Sequence, residues 1–140
     1  MKKRLLLTVL FVVFVVNGAI AGSGSLVGDW VGEARAIYPD GTIFEQIPLT
    51  GKLEDLQGGL FRGTFTFTVP GLGEVTAYAT GYIRAQKIQG LMSVEDASSL
   101  SGYSGIGVFN ANLKGKKMTG VVHDFSDGST AYFTAKKQSN

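Results

Sequence analysis

The chemistry-bearing side chains of this chain are few. His123-Asp124 contains the only histidine and is the first acid/base candidate, because an unperturbed imidazole changes charge near neutral pH. General acid–base work also needs a substrate proton or nucleophile within hydrogen-bond reach. The local pattern gives no such partner. Met118, Gly120 and Val122 alternate toward one face, which puts His123 on the other with Val121 and Phe125. A surface histidine is the resulting expectation. Glu45 is more informative, since it shares a period-two face with Ile43, Ile47, Leu49 and Leu53. Strict alternation would bury it, and a buried carboxylate needs a partner or a raised pKa. Arg35 and Arg84 are the available partners. Two placements follow: a polar group at the bottom of a ligand pocket, or a bulge near Pro48 that turns Glu45 outward.

Tyr38, Tyr78, Tyr82, Tyr103 and Tyr132 form the remaining group. Tyr78 and Tyr82 share a face with Thr76 and Thr80, opposite the small residues Val75, Ala77, Ala79 and Gly81. This predicts an exterior aromatic stripe, either a contact surface or ordinary cross-strand pairing. Tyr103 lies in a Ser/Gly-rich connection and is a candidate recognition residue. The residues assigned to binding are therefore Glu45, Arg35, Tyr78, Tyr82 and Tyr103. Asp124, Ser126 and Asp127 suggest a calcium loop only faintly, with too few oxygens. No metal set, phosphate loop or Ser-His-Asp spacing occurs, and no catalytic residue, metal or cofactor is assigned.

The elements that position these residues are strands. Phe61, Gly63, Phe65, Phe67 and Val69 alternate with Arg62, Thr64, Thr66 and Thr68, and Val75 to Ala85 repeats the pattern with smaller residues. Period two with β-branched and aromatic types marks half-buried strands. Turn signals at Pro39-Asp40-Gly41, Gln57-Gly58-Gly59, Pro70-Gly71-Leu72-Gly73, Lys114-Gly115-Lys116 and Ser126-Asp127-Gly128 divide the rest, with a softer break near Gln86-Lys87 and a long link over 95–105. Eight strands follow, near 26–38, 42–56, 60–69, 74–85, 88–94, 106–113, 117–125 and 129–137. Leu53, Ile83 and Leu113 recur at a spacing of 30, each followed by a glycine in its return strand (Gly63, Gly90, Gly120). Glycine there lets a sheet bend without a side chain clashing inside the curve. The expectation is an all-β, eight-stranded antiparallel up-and-down barrel, with an open β-sandwich as the alternative.

Gly28-Asp29-Trp30 opens the first strand, and Ala131-Tyr132-Phe133-Thr134-Ala135-Lys136 alternates at the end of the last. A Gly-x-Trp at the head of an eight-stranded meander resembles the calycins, the lipocalin and avidin group. The resemblance implies that Trp30 packs across the closed end of the barrel against a basic side chain of the last strand, a part it gives to Lys136. The avidin ligand site does not carry over. Val31-Gly32-Glu33-Ala34-Arg35-Ala36 has Gly and Ala where polar groups would hold the biotin ureido group. Lipocalins are longer with larger mouth loops, so the resemblance does not by itself imply a capacious cavity.

The ends and composition set the context. Lys2, Lys3 and Arg4, the apolar run Leu5 to Val16 and Ala19-Ile20-Ala21 read as a secretory signal over residues 1–21, with a retained anchor as the alternative. The run is short of the roughly 20 apolar residues of a stable span. The domain is then 22–140, secreted or periplasmic and of bacterial type, with no stable membrane anchor after cleavage. Three of the 13 Lys and Arg lie in the signal, leaving ten against 11 Asp and Glu. The domain is nearly neutral and lacks the basic cluster that nucleic acid requires. Cysteine is absent, so the core alone must stabilise the fold, and thiol chemistry is excluded. These features point to a non-enzymatic exported protein that binds a small apolar ligand or a protein partner. The alternatives are an assembly component of an extracellular or periplasmic complex and a cofactor-free isomerase or cyclase using Glu45 or His123 as base. Oligomeric state is not legible.

Overall fold

Alternating side chains and tight turns fold the chain into eight antiparallel strands: β1 (Gly28–Ile37), β2 (Ile43–Gln57), β3 (Leu60–Val69), β4 (Gly73–Arg84), β5 (Lys87–Glu95), β6 (Ser104–Lys114), β7 (Lys117–Asp124) and β8 (Thr130–Lys137). The structure, a computed structural model, describes residues 26–71, 73–95 and 104–139. The expected signal segment 1–21 and the candidate Tyr103 lie outside the described residues. Each strand pairs with its sequence neighbour, and β1 pairs with β8 from Trp30↔Lys137 to Ile37↔Thr130. The barrel is closed and up-and-down, not an open sandwich. Closure pairs every strand on both sides, so the apolar-rich β3 presents no unpaired edge.

The two ends differ. At one end, two-residue turns join Gln57 to Leu60, Arg84 to Lys87 and Lys114 to Lys117. At the other, longer connections leave Ile37, Val69, Glu95 and Asp124. The tight end is filled by large side chains: Trp30, Leu53, Phe61, Ile83, Ile88, Leu113 and Met118 are all buried. Trp30 is fully buried, and its indole Nε1 donates to the Leu26 carbonyl at 2.8 Å. That bond satisfies the only polar atom of the side chain, as a buried indole requires. Phe61 and Phe109 meet edge to face, centroids 6.1 Å apart.

The 30-residue repeat has a physical basis here. A Cβ on Gly63, Gly90 or Gly120 would lie 2.5, 2.4 or 2.5 Å from the carbonyl oxygen of Lys52, Thr80 or Asn110 on the adjoining strand. Those contacts are shorter than any real side chain tolerates, so each repeat carries glycine where neighbouring backbones close up.

One alternative is resolved and one expectation changes. The β1–β2 register slips between Ala34↔Ile47 and Ala36↔Phe44, so Arg35 faces both Glu45 and Gln46. The expected bulge near Pro48 is present, centred at Glu45–Gln46 with Gln46 at φ 54°, and it turns Glu45 outward as that alternative required. It reverses the face of every residue before it: Ile43 is exposed and Phe44 packs inward. Lys136 is exposed opposite Val31, whereas the residue opposite Trp30 is Lys137. The basic position predicted for Lys136 is shifted by one, and one residue in a strand is a change of face.

Candidate functional site

The described residues leave the wide end of the barrel unfilled. Its inward positions carry smaller residues than the base: Ala34, Ala36, Val75, Val94, Val122 and Ala131. With Ile47, Phe67, Val69 and Met92 they line a cavity of about 260 Å³ open at the mouth. Its floor is the packed core, since Phe67, Met92 and Val122 also border the residual 10 Å³ void beneath, among Leu49, Phe65 and Phe109. Space at the mouth therefore follows from residue size along each strand. On β1 the inward sequence runs from Trp30 at the base through Gly32, Ala34 and Ala36.

Among the described residues, polar groups enter the lining only at the rim: Tyr38, Asp124, Asp127 and Ser129. Local turns hold them. Tyr38 donates its backbone N–H to the Thr42 carbonyl (2.9 Å) and accepts from Gly41 N–H (3.0 Å). Its ring meets Phe44 edge-on at 5.6 Å. Between β7 and β8, the Ser126 N–H donates to Asp124 Oδ1 (2.7 Å) and the Ser129 N–H to Asp127 Oδ1 (2.8 Å). Backbone bonds Asp124 N–H to Ser129 O and Gly128 N–H to Asp124 O, each 3.0 Å, close the same turn. Burial is the first cause that holds the Tyr38 phenol above its ordinary value, followed by the charges of Asp127 and then Asp124. Both carboxylates therefore act on the phenol from the adjoining turn, since Ile37 pairs with Thr130.

The residues singled out in the sequence do not gather at this cavity. Arg35 and Glu45 lie on the outside of the barrel, joined by a 2.7 Å Nε–Oε1 ion pair with side chains 46% and 59% exposed. Glu45 is consequently not a buried pocket carboxylate; the bulge turns it outward. Tyr78 and Tyr82 are exterior as expected, 49% and 46% exposed, and Tyr82 donates to Gln89 Oε1, whose amide donates to Asn110 Oδ1 at 3.0 Å. His123 is exposed and its Nδ1 lies 3.0 Å from Thr130 Oγ1. The sequence singled out Asp124 and Asp127 only as a faint calcium loop, whereas the structure sets them at the rim of the cavity. The Ser126-Asp127-Gly128 turn signal marked their position, but not that it overhangs an apolar cavity.

Eight strands in up-and-down order around an apolar calyx, plugged at one end by the tryptophan of Gly28-Asp29-Trp30, decide the architecture. The fold is a closed eight-stranded up-and-down barrel, the architecture that the resemblance to the calycins implies. Solved structures agree at the level of fold. A redesigned β-barrel superposes with TM-score 0.62 at 13% identity, covering 86% of this chain and 98% of its own. The amine-binding protein of Rhodnius prolixus, in its tryptamine complex, gives 0.56 at 10% identity over 81% of this chain. This chain spans 64% of that protein's length. Rv2717c from M. tuberculosis gives 0.54 at 12% identity, covering 82% and 94% of the two chains. No protein-family model matches, and no curated protein matches by sequence.

Proposed function

We propose that this calycin-like barrel is an exported binding protein that holds a small, mainly apolar molecule in its open-end calyx without converting it chemically. The observation that carries the reading is the 260 Å³ apolar cavity above a fully packed base. Small-molecule sites run from about 300 to 1,000 Å³, and a cavity of about 150 Å³ already holds benzene. The calyx therefore suits a body of one or two rings rather than a long acyl chain. Occupation of a similar fold by tryptamine in the Rhodnius amine-binding protein supports the small-ligand reading. Export rests on the N-terminal Lys-Lys-Arg, apolar run and Ala19-Ile20-Ala21.

Native mass spectrometry of the protein taken from its producing cells' exported fraction tests both parts. A small-molecule adduct on a chain beginning at Gly22 is expected. A clean apo mass across preparations, with no uptake of added one- or two-ring compounds, contradicts the binding reading, and a chain retaining its first 21 residues contradicts export.

A second reading, a protein partner, is favoured by the outer face where Tyr78, Leu91 and Ile106 stand exposed on adjacent strands. Tyr78→Ser with Tyr82→Ser should abolish any concentration-dependent oligomer on this face. An oligomer unchanged by the pair places the contact elsewhere.

A further inference from the structure

We propose that the outer wall of the barrel carries a second binding site, a shallow groove over β5–β8 that takes a neutral oligosaccharide. The site is separate from the calyx and does not depend on it. Register brings its residues into one line across the sheet. Tyr82 stands opposite Gln89, Gln89 opposite Asn110, Asn110 opposite Val121, and Val121 opposite Tyr132. Strand alternation turns these residues outward, because Ile83, Ile88, Ala111 and Met118 are buried on the inner face. Beside the line lies an open groove of about 380 Å³. Gln89, Asn110, Asn112 and Tyr132 are exposed along it, and Thr119 and Val121 are half-buried. Ala111 and Gly120 border it with backbone, so its centre stays low.

The polar groups are already aligned. The Tyr82 hydroxyl donates to Gln89 Oε1, and Gln89 Nε2 donates to Asn110 Oδ1 at 3.0 Å. That relay fixes the direction of both amides and leaves Asn110 presenting its Nδ2 hydrogens. Among the described residues, no hydrogen bond takes up Asn110 Nδ2, the Asn112 amide or the Tyr132 hydroxyl. An amide offers donors and an acceptor side by side, as do neighbouring hydroxyls of a pyranose. Tyr132 adds an exposed ring, an apolar face with a polar tip that suits the C–H face of a sugar, and tyrosine loses little conformational entropy on contact. Strands about 4.8 Å apart match the length of one pyranose unit, so β5–β8 accommodate about three. Charge is sparse here: Lys87 is the one charged residue in the described lining. Arg35, opposite Tyr132, is met by Glu45 at 2.7 Å. A protein interface would centre on apolar residues, and the exposed Leu91 and Ile106 lie outside this lining.

Cellotriose, maltotriose and β-1,4-mannotriose, with trigalacturonate as the anionic control, test the site by saturation-transfer NMR and side-chain amide shifts. At least one neutral trisaccharide is expected to bind and to move the Gln89 and Asn110 amide signals. Tyr132→Ala should weaken it about tenfold or more, the measure of one lost aromatic contact, while Tyr132→Phe should retain most of it. Asn110→Ala, at an exposed position, should also weaken it, and Tyr78→Ala, outside the groove, should not. Melting curves of each variant separate loss of the site from loss of the fold. Silence from all three neutral sugars overturns the proposal, as does unchanged affinity in Tyr132→Ala and Asn110→Ala. Tighter binding of trigalacturonate than of any neutral sugar overturns it too, since a cationic point would then be the determinant. Sugar-induced shifts confined to calyx methyls such as Ala36 and Val94 would remove the outer site and leave the calyx.

Discussion

Filling the calyx from its wall is the most decisive perturbation. Ala36 is buried on β1, opposite Ala131 of β8, and both line the cavity. Ala36→Phe would project a ring into that space. A ring requires about 150 Å³ of cavity, which is more than half of the 260 Å³ present. A bound aromatic body buries about 150–250 Å², or roughly 4–6 kcal/mol of gross apolar transfer at about 25 cal/mol per Å². Losing half of it weakens binding by about 2–3 kcal/mol, on the order of 30- to 100-fold in Kd. Stability should not fall, because the new ring enters existing space; overpacking costs about 1–3 kcal/mol only where room is lacking. Isothermal titration of 1-naphthalenemethanol against native and Ala36→Phe protein, with a melting curve of each, reads both quantities. Unchanged Kd in a variant that melts like the native protein would refute the placement of the ligand. Ala131→Phe, from the neighbouring strand, should reproduce the loss.

Other outcomes follow from single features. The Tyr38 phenol, raised first by burial and then by Asp127 and Asp124, should ionise above the ordinary tyrosine value in an ultraviolet titration of native against Tyr38→Phe protein. A raised folded-state value means its contribution is complete below the ordinary tyrosine value near 10 and is lost as pH rises through the folded one; Asp127→Asn should move the lagging step down, and an unmoved step would remove Asp127 as a cause. The β4–β5 turn places Ala85 and Gln86 at φ 46° and 69°, left-handed values that suit Asn-Gly. Ala85→Asn with Gln86→Gly should stabilise by about 1 kcal/mol, or about 4 °C in Tm; a lower Tm would contradict the turn assignment. Trp30→Ala should cost about 3–5 kcal/mol in denaturant unfolding, since it empties the plug and strips the Leu26 carbonyl of its donor; a loss under about 1 kcal/mol would show that the plug is not structural. Glu45→Gln breaks an exposed ion pair worth about 0–1 kcal/mol and should leave ligand affinity unchanged; a tenfold loss would return Glu45 to the site.

Legibility followed period and locality. Strand count, closure and inward faces were readable because period two and turn chemistry are local: Phe61, Phe65, Ala77, Ala79 and Ile83 are buried as their alternation requires. The repeat glycines were readable for the same reason. Failures came where one residue changes phase. Pro48 marked a bulge nearby but not its position at Glu45–Gln46, and that position decides whether Glu45 faces in or out. Lys136 and Lys137 are chemically identical neighbours, and only the register to Trp30 distinguishes them. The calyx was the least legible feature. It arises from small side chains contributed by β1, β4, β5, β7 and β8, a sum across the barrel that no single segment displays. Asp124 and Asp127 read as turn residues, which they are; that their turn stands over the cavity follows from closure of the barrel and not from any local pattern.

The central claim, an apolar ligand seated in the open end, is tested most directly by nuclear Overhauser contacts between bound 1-naphthalenemethanol and assigned methyl groups. Contacts from the naphthyl protons to Ala36, Ala131, Val94 and Met92, all calyx residues, are the predicted result. Contacts confined to exterior groups such as Leu91 and Ile106, with the calyx methyls silent, would contradict the account.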